Sequence, residues 1–450
     1  MPSLQGASCS LKTFSRYVVP SVAAMLLFSL YTVVDAIFIS KGAGEVAMTS
    51  VNIALPFVST LSGISILLSM GTATLVAFAR GRGDEKEASG LFSQTVLVMT
   101  VISVLITILV SIFAQPLARQ LGAGPATIAG TTSYLRIISL FSICFIVSYC
   151  LEVMVKVDDK PHMAIVGVGA SFMTNIVLDF TFVIIFDWGV PGAAWATGIA
   201  QVVSLAIFLF YFFGHRSTLK IAPFEPQPKA FLRILPLGVA DCSVELIIAF
   251  LTMMYNKILF HTFGEESMTV YAVIAYLNLF VFMMMQGVAQ GMMHLVSLHM
   301  GKGETDAAAG YFRLCIGACL LFSICFILVC QLAPETIVLL LLDPGSQLLS
   351  ETVTALRQFS LSFPLVGINI AIAGYFTARE MAVPSIALSL GRGFLFAPIA
   401  LFLCAFLAGG RFIWFAALLG EAVCLVVSLL VLWWARRRWK TNDANAVVTE

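Results

Sequence analysis

Long apolar segments recur along the whole chain, and they restrict its fold more than any other feature of the sequence. Each is about twenty residues or longer, which as a helix rising 1.5 Å per residue crosses about 30 Å of hydrocarbon. Only 11% of the 450 residues are charged and 60% are hydrophobic, more than the interior of a soluble domain can bury. The sequence therefore predicts an all-α polytopic membrane protein.

The apolar segments number twelve, and we expect each to be one transmembrane helix. The first is longer than the apolar region of a signal peptide and has no small-residue cleavage site behind it, so we expect it to remain as a span. The approximate bounds are 15–40, 49–79, 91–114, 131–155, 163–186, 191–213, 232–260, 268–299, 311–333, 351–378, 384–408 and 411–435.

The second half of the chain repeats a pattern of the first half at an offset of 220 residues. Duplicated halves are common in membrane transporters, because two similar bundles can move about a site that lies between them. Twelve spans then predict two pseudo-symmetric six-helix bundles of the same orientation. Gly71, Leu75, Val76, Gly81, Arg82, Gly83, Asp84 and Ala88 correspond to Gly291, Leu295, Val296, Gly301, Lys302, Gly303, Glu304 and Ala308.

A proline-containing polar break near the middle of the chain separates the two halves. We expect an amino-terminal bundle over 1–213, a cytoplasmic linker over 214–230, a carboxy-terminal bundle over 231–440 and a disordered tail over 441–450. Most Lys and Arg residues, Lys156 among them, fall on one side of the twelve-span arrangement. The positive-inside rule makes that side cytoplasmic, so we expect both termini on the cytoplasmic side of the plasma membrane.

Carboxylates inside apolar spans mark the candidate functional site, because lipid excludes them unless they have a role. Asp35 and Asp179 lie in spans one and five, and Asn175 precedes Asp179 by one helical turn. By helical rise, Asp35, Asp179 and Thr197 in span six lie about 9 to 12 Å below the outer surface. Two carboxylates, an amide oxygen and a hydroxyl at one depth suit a proton or Na⁺.

A buried polar network that only fixes helix packing is the alternative interpretation of these four residues. The duplication bears on it, since the second half has apolar or aromatic residues at the corresponding positions. These are Tyr255, Leu395, Ile399 and either Ala416 or Ala417. The two copies therefore differ where the first one has its polar residues.

The order and spacing of several motifs carry a family resemblance over almost the whole chain. Asp35 follows Pro20 by fifteen residues, Asn175 and Asp179 precede the segment from Gly189 to Thr197, and a Gly-Arg-Gly-Asp sequence ends the second span. The pattern resembles the multidrug and toxic compound extrusion (MATE) family, in particular its bacterial MepA-like branch. The resemblance implies a V-shaped pair of six-helix bundles that binds a cation at Asp35, Asn175, Asp179 and Thr197.

The resemblance implies less for the second half. Glu245 matches a seventh-span acidic residue of some members, whereas their tenth-span Asp is missing and Asn369 is the nearest polar residue. A second cation site there would have to use these two residues. Pro20 removes a hydrogen bond from the first span and is predicted to be its hinge.

The resulting prediction is a secondary active multidrug exporter, not an enzyme. It would exchange cationic or amphipathic organic compounds for H⁺ or Na⁺, with no cofactor and no nucleic acid, as a monomer in the lipid bilayer. A flippase for lipid-linked saccharides remains an alternative, although Arg392 is the only base placed well inside a span. The Asp158-Asp159 pair is expected to be a solvated turn rather than a Mg²⁺ site.

Overall fold

The computed structural model describes most of the chain. It covers residues 9–214, 217–220, 224, 227–263, 266–339, 346–407 and 412–448. Within its helices some side chains are not described, among them those of Asp35 and Glu245. The predictions that depend on those two side chains therefore lie outside the described part.

Helices account for all the regular structure of the described residues. The α-helices are α1 Leu11–Gly81, α2 Glu85–Gln120, α3 Ile128–Leu140, α4 Ser142–Val157, α5 His162–Asp179, α6 Gly189–Phe213, α7 Pro228–Phe263, α8 Glu266–Gly301, α9 Thr305–Leu332, α10 Pro334–Val338, α11 Leu349–Ser360, α12 Phe363–Ala378, α13 Ala382–Leu390, α14 Ala397–Phe402 and α15 Ala416–Val448. Three π-helical segments, Phe180–Ile185, Gly391–Phe396 and Leu403–Leu407, and a 3₁₀ turn, Ile413–Phe415, complete the set.

The spans within the described residues agree with a polytopic membrane protein. Nine helices are long and apolar enough to cross a bilayer, and the count rises to 11 if each of two bent pairs is one span. The bent pairs are α3 with α4, at 51°, and α11 with α12, at 40°. The span expected over 15–40 overlaps the stretch in which many side chains are not described.

Helix α1 contains the first two expected spans, and its two ends meet. Tyr17 near its start donates a hydrogen bond to the Asp159 carboxylate, and Arg80 near its end lies 3.5 Å from the same carboxylate. A straight helix of 71 residues would be about 106 Å long. The element must therefore turn back on itself, and the two antiparallel arms are the first two spans.

The turn between α1 and α2 explains why the Gly-Arg-Gly-Asp sequence is duplicated. Gly83 has a φ of +80°, which glycine adopts without strain. The amide of Asp84 donates to the carbonyl of Ala79 and closes the helix, and the Asp84 carboxylate accepts from the amide of Glu87 to cap the next one. Gly303, with a φ of +77°, ends α8 in the same way. The motif thus ends one helix and begins the next.

Asp158 corrects the expectation of a solvated turn. Its carboxylate is buried and accepts hydrogen bonds from the hydroxyls of Tyr211 and Ser217 at 2.7 and 2.6 Å, and from the amide of Leu219 at 3.1 Å. Arg80 lies 3.8 Å from it. Because a buried carboxylate needs donors and a countercharge, the residue acts as an anchor that ties α1, α6 and the segment 217–219 together.

The helices form two compact units. The first comprises the chain up to Cys242 together with His294–Ala308, and the second comprises Ser243–Met293 and the chain from Ala309 onwards. Within the first unit, the duplicated glycines Gly81 and Gly301 lie against each other, since a β-carbon on either would collide with the other's helix backbone. Helix α8 thus contributes its last turns to the first unit.

Two expected boundaries differ from those of the structure. Helix α7 begins at Pro228, within the segment 214–230 that we expected to be linker. Helix α15 runs to Val448, so the backbone of the expected tail over 441–448 is helical. The sequence from Thr441 to Val448 contains neither proline nor glycine, so nothing in it stops a helix that is already formed.

Candidate functional site

Helix α5 has a buried face made of small and polar residues and an exposed face made of large apolar ones. The buried residues recur every three or four positions and are Ala164, Gly167, Ser171, Asn175 and Asp179. Met173 and Val177 on the other face are 60% and 61% exposed. In a membrane this is an inside-out amphipathic helix, with apolar residues facing lipid and polar ones facing protein.

Asp179 is the last residue of α5 and is followed directly by the π-helical segment Phe180–Ile185. A π-turn widens the helix by one residue and shifts the direction of the side chains after it, and such turns are frequent at functional sites. Both Asn175 and Asp179 are fully buried. The α-helical geometry up to Asp179 therefore keeps these two polar side chains on one face, one turn apart.

Thr197 lies on α6 among small residues that let neighbouring helices approach closely. Gly192, Ala193, Ala194, Ala196 and Gly198 around it are buried. Small residues at helix interfaces are the usual means of close packing in membranes. The Thr197 hydroxyl is buried with them, so it faces protein and not lipid.

The contacts between α5 and α6 fix the position of Thr197 along the helix axes, which we call its level. The ring of Phe208 packs against Gly167, and the backbone of Phe182 packs against Gly192. The helices are therefore antiparallel. Counting along them from either contact places residue 197 level with Val177 or Leu178, which lie between Asn175 and Asp179 in sequence. At 1.5 Å per residue all three side chains start within about 3 Å of one level.

The contacts between the first arm of α1 and α5 set the level of Asp35 in the same way. Tyr17 bonds to Asp159, Leu27 lies beside Gly169, and Gly42 packs against Ile184. In each of the three pairs the two residues are 142 positions apart in sequence. The two helices therefore run parallel in one register. That register places the backbone of residue 35 level with residue 177. The Asp35 side chain itself is not described.

The structure thus places the backbones of the four predicted site residues at about one level along their helices. Among the described residues, neither amide atom of Asn175 nor the hydroxyl of Thr197 has a hydrogen-bond partner, although all are buried. A buried polar group without a partner costs about 1–3 kcal/mol. The arrangement therefore has the capacity to bind a ligand that accepts or supplies these bonds.

The available atoms are carboxylate, amide and hydroxyl oxygens, which are hard ligands. Such a set fits Na⁺ or a proton and does not fit a soft transition metal. The part of the chain that the structure describes contains no group of three or more His, Cys, Asp or Glu that could hold a metal ion. A cation at this level would have to be held by the mixed oxygen set.

The remaining predicted residues lie elsewhere. Pro20 is buried within α1, where the helix continues past it. Glu245 belongs to α7, and its side chain is not described. Asn369 on α12 is buried in the second unit, where its amide nitrogen donates to a Glu421 carboxylate oxygen at 2.7 Å.

Two intramembrane carboxylates were missed in the sequence, and each is paired with a base. Glu152 on α4 lies 2.8 Å from Lys156, which is fully buried and not the surface residue we expected. Glu421 on α15 lies 2.7 Å from Arg392. The four-residue spacing of the first pair and the presence of Glu421 inside the twelfth span were the signals that could have found them.

The apolar spans of the described helices define a multi-pass membrane protein. The family model MatE matches residues 20–181 and 242–402. The chain therefore belongs to the MATE family, as the sequence motifs predicted.

The relatives include the multidrug export protein MepA of Staphylococcus aureus, which is 22% identical over 441 residues, 97% of this chain and 96% of that protein. MepA of Staphylococcus saprophyticus is 22% identical over 437 residues, 96% of each. These relatives confirm the resemblance to the MepA-like branch.

Solved structures confirm the fold. A multidrug resistance MATE family transporter in an outward-facing conformation has a TM-score of 0.89 at 19% identity, covering 96% of each chain. A transporter of the MOP superfamily from Pyrococcus furiosus, described as having a binding pocket of reverse polarity that suggests a different function, has a TM-score of 0.87 at 19% identity, covering 95% of each chain. Likeness of fold alone does not assign a function, so function has to be argued from the site.

Proposed function

We propose that the chain is a secondary active exporter of cationic or amphipathic organic compounds, driven by exchange for H⁺ or Na⁺. Membership of the MATE family and the similarity to proteins named as multidrug exporters support this proposal. The coupling ion would bind in the first unit at Asp35, Asn175, Asp179 and Thr197. Alternating access would follow from a change in the packing of the first span.

The observation that carries the proposal is the common level of Asn175, Asp179 and Thr197 in a buried environment. Two of the three have polar atoms without a partner among the described residues. Packing alone would not favour such an arrangement, because unsatisfied buried groups oppose folding. A cation, or a proton with its hydrogen bonds, supplies the missing interaction and so offsets the cost.

Ion binding would change the balance between two arrangements of the first span. Two carboxylates close together in a low dielectric repel each other, and one bound positive charge removes that repulsion. Pro20 leaves the carbonyl of Arg16 without its helical donor, which provides a place to bend. One charge moving down about 150 mV supplies about 3.5 kcal/mol, enough for a gradient of a few hundredfold.

The proposal includes an orientation. The excess of Lys and Arg on one side would place both termini in the cytoplasm of a bacterial cell, with the oxygen cluster in the outer half of the membrane. The protein would act as a monomer, since one chain contains both halves.

Transport by the purified protein in liposomes tests the function. A fluorescent organic cation would be loaded, and a pH gradient and a sodium gradient would be imposed separately. We expect one of the two to drive movement of the dye, and Asp179→Asn to abolish that response. Asp187→Asn is the matched control, because Asp187 is an exposed carboxylate eight residues further along the same segment.

Movement of dye that responds to neither gradient would refute the exchange mechanism. Equal transport by wild type and Asp179→Asn, with both proteins folded, would instead refute the assignment of the site. The flippase alternative requires an uncompensated base for a diphosphate. Arg392 does not meet that requirement, because Glu421 compensates its charge.

A further inference from the structure

A helix break interrupts the same span in both copies, at positions that correspond at the offset of 220 residues. In the first unit, α3 and α4 meet at Phe141 with a bend of 51°, and Ser142 is the first residue of α4. In the second unit, α11 and α12 meet with a bend of 40°, and Ser362 immediately precedes α12. The two serines therefore occupy equivalent places in the two copies.

The hydroxyls of these two serines differ in their bonding. The Ser362 hydroxyl donates to the carbonyl of Phe359, three residues earlier, at 2.8 Å. Ser142 is also fully buried, yet its hydroxyl has no hydrogen-bond partner among the described residues. A buried hydroxyl without a partner costs about 1–3 kcal/mol. The first unit therefore bears a cost at this position that the second unit avoids.

Thr107 on α2 accounts for the difference. Its hydroxyl donates to the carbonyl of Ser139 at 2.6 Å, and this is the carbonyl that Ser142 would use if it bonded as Ser362 does. The residue that corresponds to Thr107 at the offset of 220 is Ile327, which has no hydroxyl. Thr107 thus satisfies that carbonyl from a neighbouring helix and leaves the Ser142 hydroxyl available to a further partner.

The contacts between α4 and α6 fix the level of Ser142. The ring of Phe141 packs against Gly198 at the helix break. Further along both helices, the Ser148 hydroxyl donates to the carbonyl of Gln201 at 3.4 Å. The residue numbers increase together from the first contact to the second, so α4 and α6 run parallel at offsets of 53 to 57 residues.

Those offsets place Ser142 level with residues 195–199, the middle of which is Thr197. Thr197 in turn is level with Asn175 and Asp179 to within about 3 Å. The first unit thus has a third buried side chain at this level, after Asn175 and Thr197, whose polar atoms have no partner among the described residues. Its hydroxyl oxygen is a hard ligand like the others.

We propose that Ser142 is a fifth oxygen ligand of the cation site in the first unit, that the cation is Na⁺, and that Thr107 positions Ser142 for this role. The inference rests on the proposed function, since it adds one ligand to the four residues of that site. A proton needs only an acceptor oxygen, whereas a hard metal ion needs several oxygens around it. A second neutral hydroxyl beside two carboxylates and an amide therefore favours Na⁺ over H⁺.

Na⁺-dependent thermal stability of the purified protein in detergent tests the proposal without a transport measurement. Na⁺ would replace N-methylglucamine at constant pH and ionic strength, and the Na⁺ concentration that gives half of the stabilisation would be determined. We expect Ser142→Ala to raise that concentration about three- to tenfold, because one neutral ligand is lost. Its midpoint of unfolding without Na⁺ should change by less than about 1 °C, since no hydrogen bond is removed.

Two further variants make the result specific. Ser362→Ala removes the equivalent hydroxyl of the second unit, so we expect the half-stabilising Na⁺ concentration to stay the same although a buried hydrogen bond is lost. Ser142→Cys replaces the hard oxygen by a softer sulfur and should raise that concentration as Ser142→Ala does. An unaltered concentration in both Ser142 variants, or an equal rise in Ser362→Ala, would overturn the proposal.

Thr107→Val tests the positioning role. It removes the hydroxyl and keeps a similar shape, so Ser142 can turn to the carbonyl of Ser139, as Ser362 does to its own acceptor. We expect the half-stabilising Na⁺ concentration to rise, and the double variant with Ser142→Ala to rise no further than Ser142→Ala alone, since both act on one ligand. Thr100→Val, whose hydroxyl bonds within α2, is the control and should have no effect. No rise in Thr107→Val, or rises that multiply in the double variant, would contradict the role of Thr107.

Asp179→Asn separates this proposal from the proposed function. If it abolishes the Na⁺ response while Ser142→Ala leaves the response unaltered, the site stands and the fifth ligand is overturned. If the wild-type protein shows no Na⁺ response but a pH gradient drives transport in liposomes, exchange stands with H⁺ as the ion and the Na⁺ ligand is overturned. If neither gradient drives transport while Ser142→Ala still weakens Na⁺ binding, the ligand stands and the exchange mechanism is refuted.

Discussion

The two halves of the chain accommodate buried polar groups in the membrane in different ways. In the first unit, Asn175 and Thr197 have buried polar atoms with no partner among the described residues. In the second unit, Asn369, Glu421 and Ser428 bond to one another, and Arg392 supplies the countercharge. The two copies therefore share a helical framework but differ in their polar groups, which form an open cluster in the first unit and a closed network in the second.

The framework itself remained symmetric. Both copies end a long helix with a glycine at positive φ, and Gly81 and Gly301 lie against each other in the first unit. These features concern backbone geometry, which does not depend on whether a bundle binds an ion. Four sets of substitutions test whether the two units differ in this way.

The closed network should be the most sensitive to loss of one partner. Glu421→Ala leaves the guanidinium of Arg392 as an uncompensated charge in a mostly buried position, so we expect destabilisation of about 3 kcal/mol or more. The thermal midpoint in detergent measures it. Glu351→Ala, at an exposed carboxylate in the first turn of α11, is the control and should cost at most about 0.5 kcal/mol. Equal effects of the two would mean that the network contributes nothing to stability.

A substitution in the open cluster of the first unit should change transport more than it changes stability. Asp179→Asn removes a carboxylate while keeping its size, so we expect coupled efflux to fall about a hundredfold, equivalent to about 2.7 kcal/mol. Initial rates of dye efflux in proteoliposomes measure it, and Asp187→Asn should leave them unchanged. A comparable loss of rate in both variants would argue against a specific role for Asp179.

The two glycines that pack against each other should be equally sensitive to substitution. Gly81→Ala and Gly301→Ala each force a methyl group into the opposite helix backbone, so we expect each to lower stability by about 1–3 kcal/mol. Gly317→Ala on α9 is the control, because a β-carbon there meets no atom within 4 Å. It should be neutral or stabilising, by up to about 1 kcal/mol. A large effect at only one of the paired glycines would contradict the symmetric packing.

The smallest effect is expected at Thr197. Its hydroxyl has no partner among the described residues, so Thr197→Ala should change the thermal midpoint by less than about 1 °C. The cation concentration that half-saturates transport should nevertheless rise about three- to tenfold, since one oxygen ligand is lost. Ser204→Ala, at another buried hydroxyl on α6, should leave that concentration unaltered. A shift of equal size at Ser204 would show that the effect is not local to the site.

The family and the helical fold were accessible from the sequence, whereas a cation site at Asp35, Asn175, Asp179 and Thr197 stays a prediction. Apolar length and duplicated motifs are local properties that a membrane makes almost unambiguous, because only helices satisfy their own backbone groups in lipid.

The partners of the charged residues could not be predicted from the sequence in the same way. Asp158 was expected to be solvated and Lys156 to lie on the surface, yet both are buried. Glu421 was overlooked inside its span, although its partner Arg392 had been noticed. Each of these errors concerns a charge, and the environment of a charge depends on which distant side chains surround it.

The amino-acid sequence is enough to identify a duplicated helical membrane transporter with carboxylates inside the spans of its first half. Which charges are neutralised depends on the tertiary structure, because hydrogen bonds such as those between Asn369 and Glu421, or between Asp158 and Ser217, join residues more than fifty positions apart. Helical periodicity specifies the face of each helix, whereas the partner across that face is selected by packing between helices.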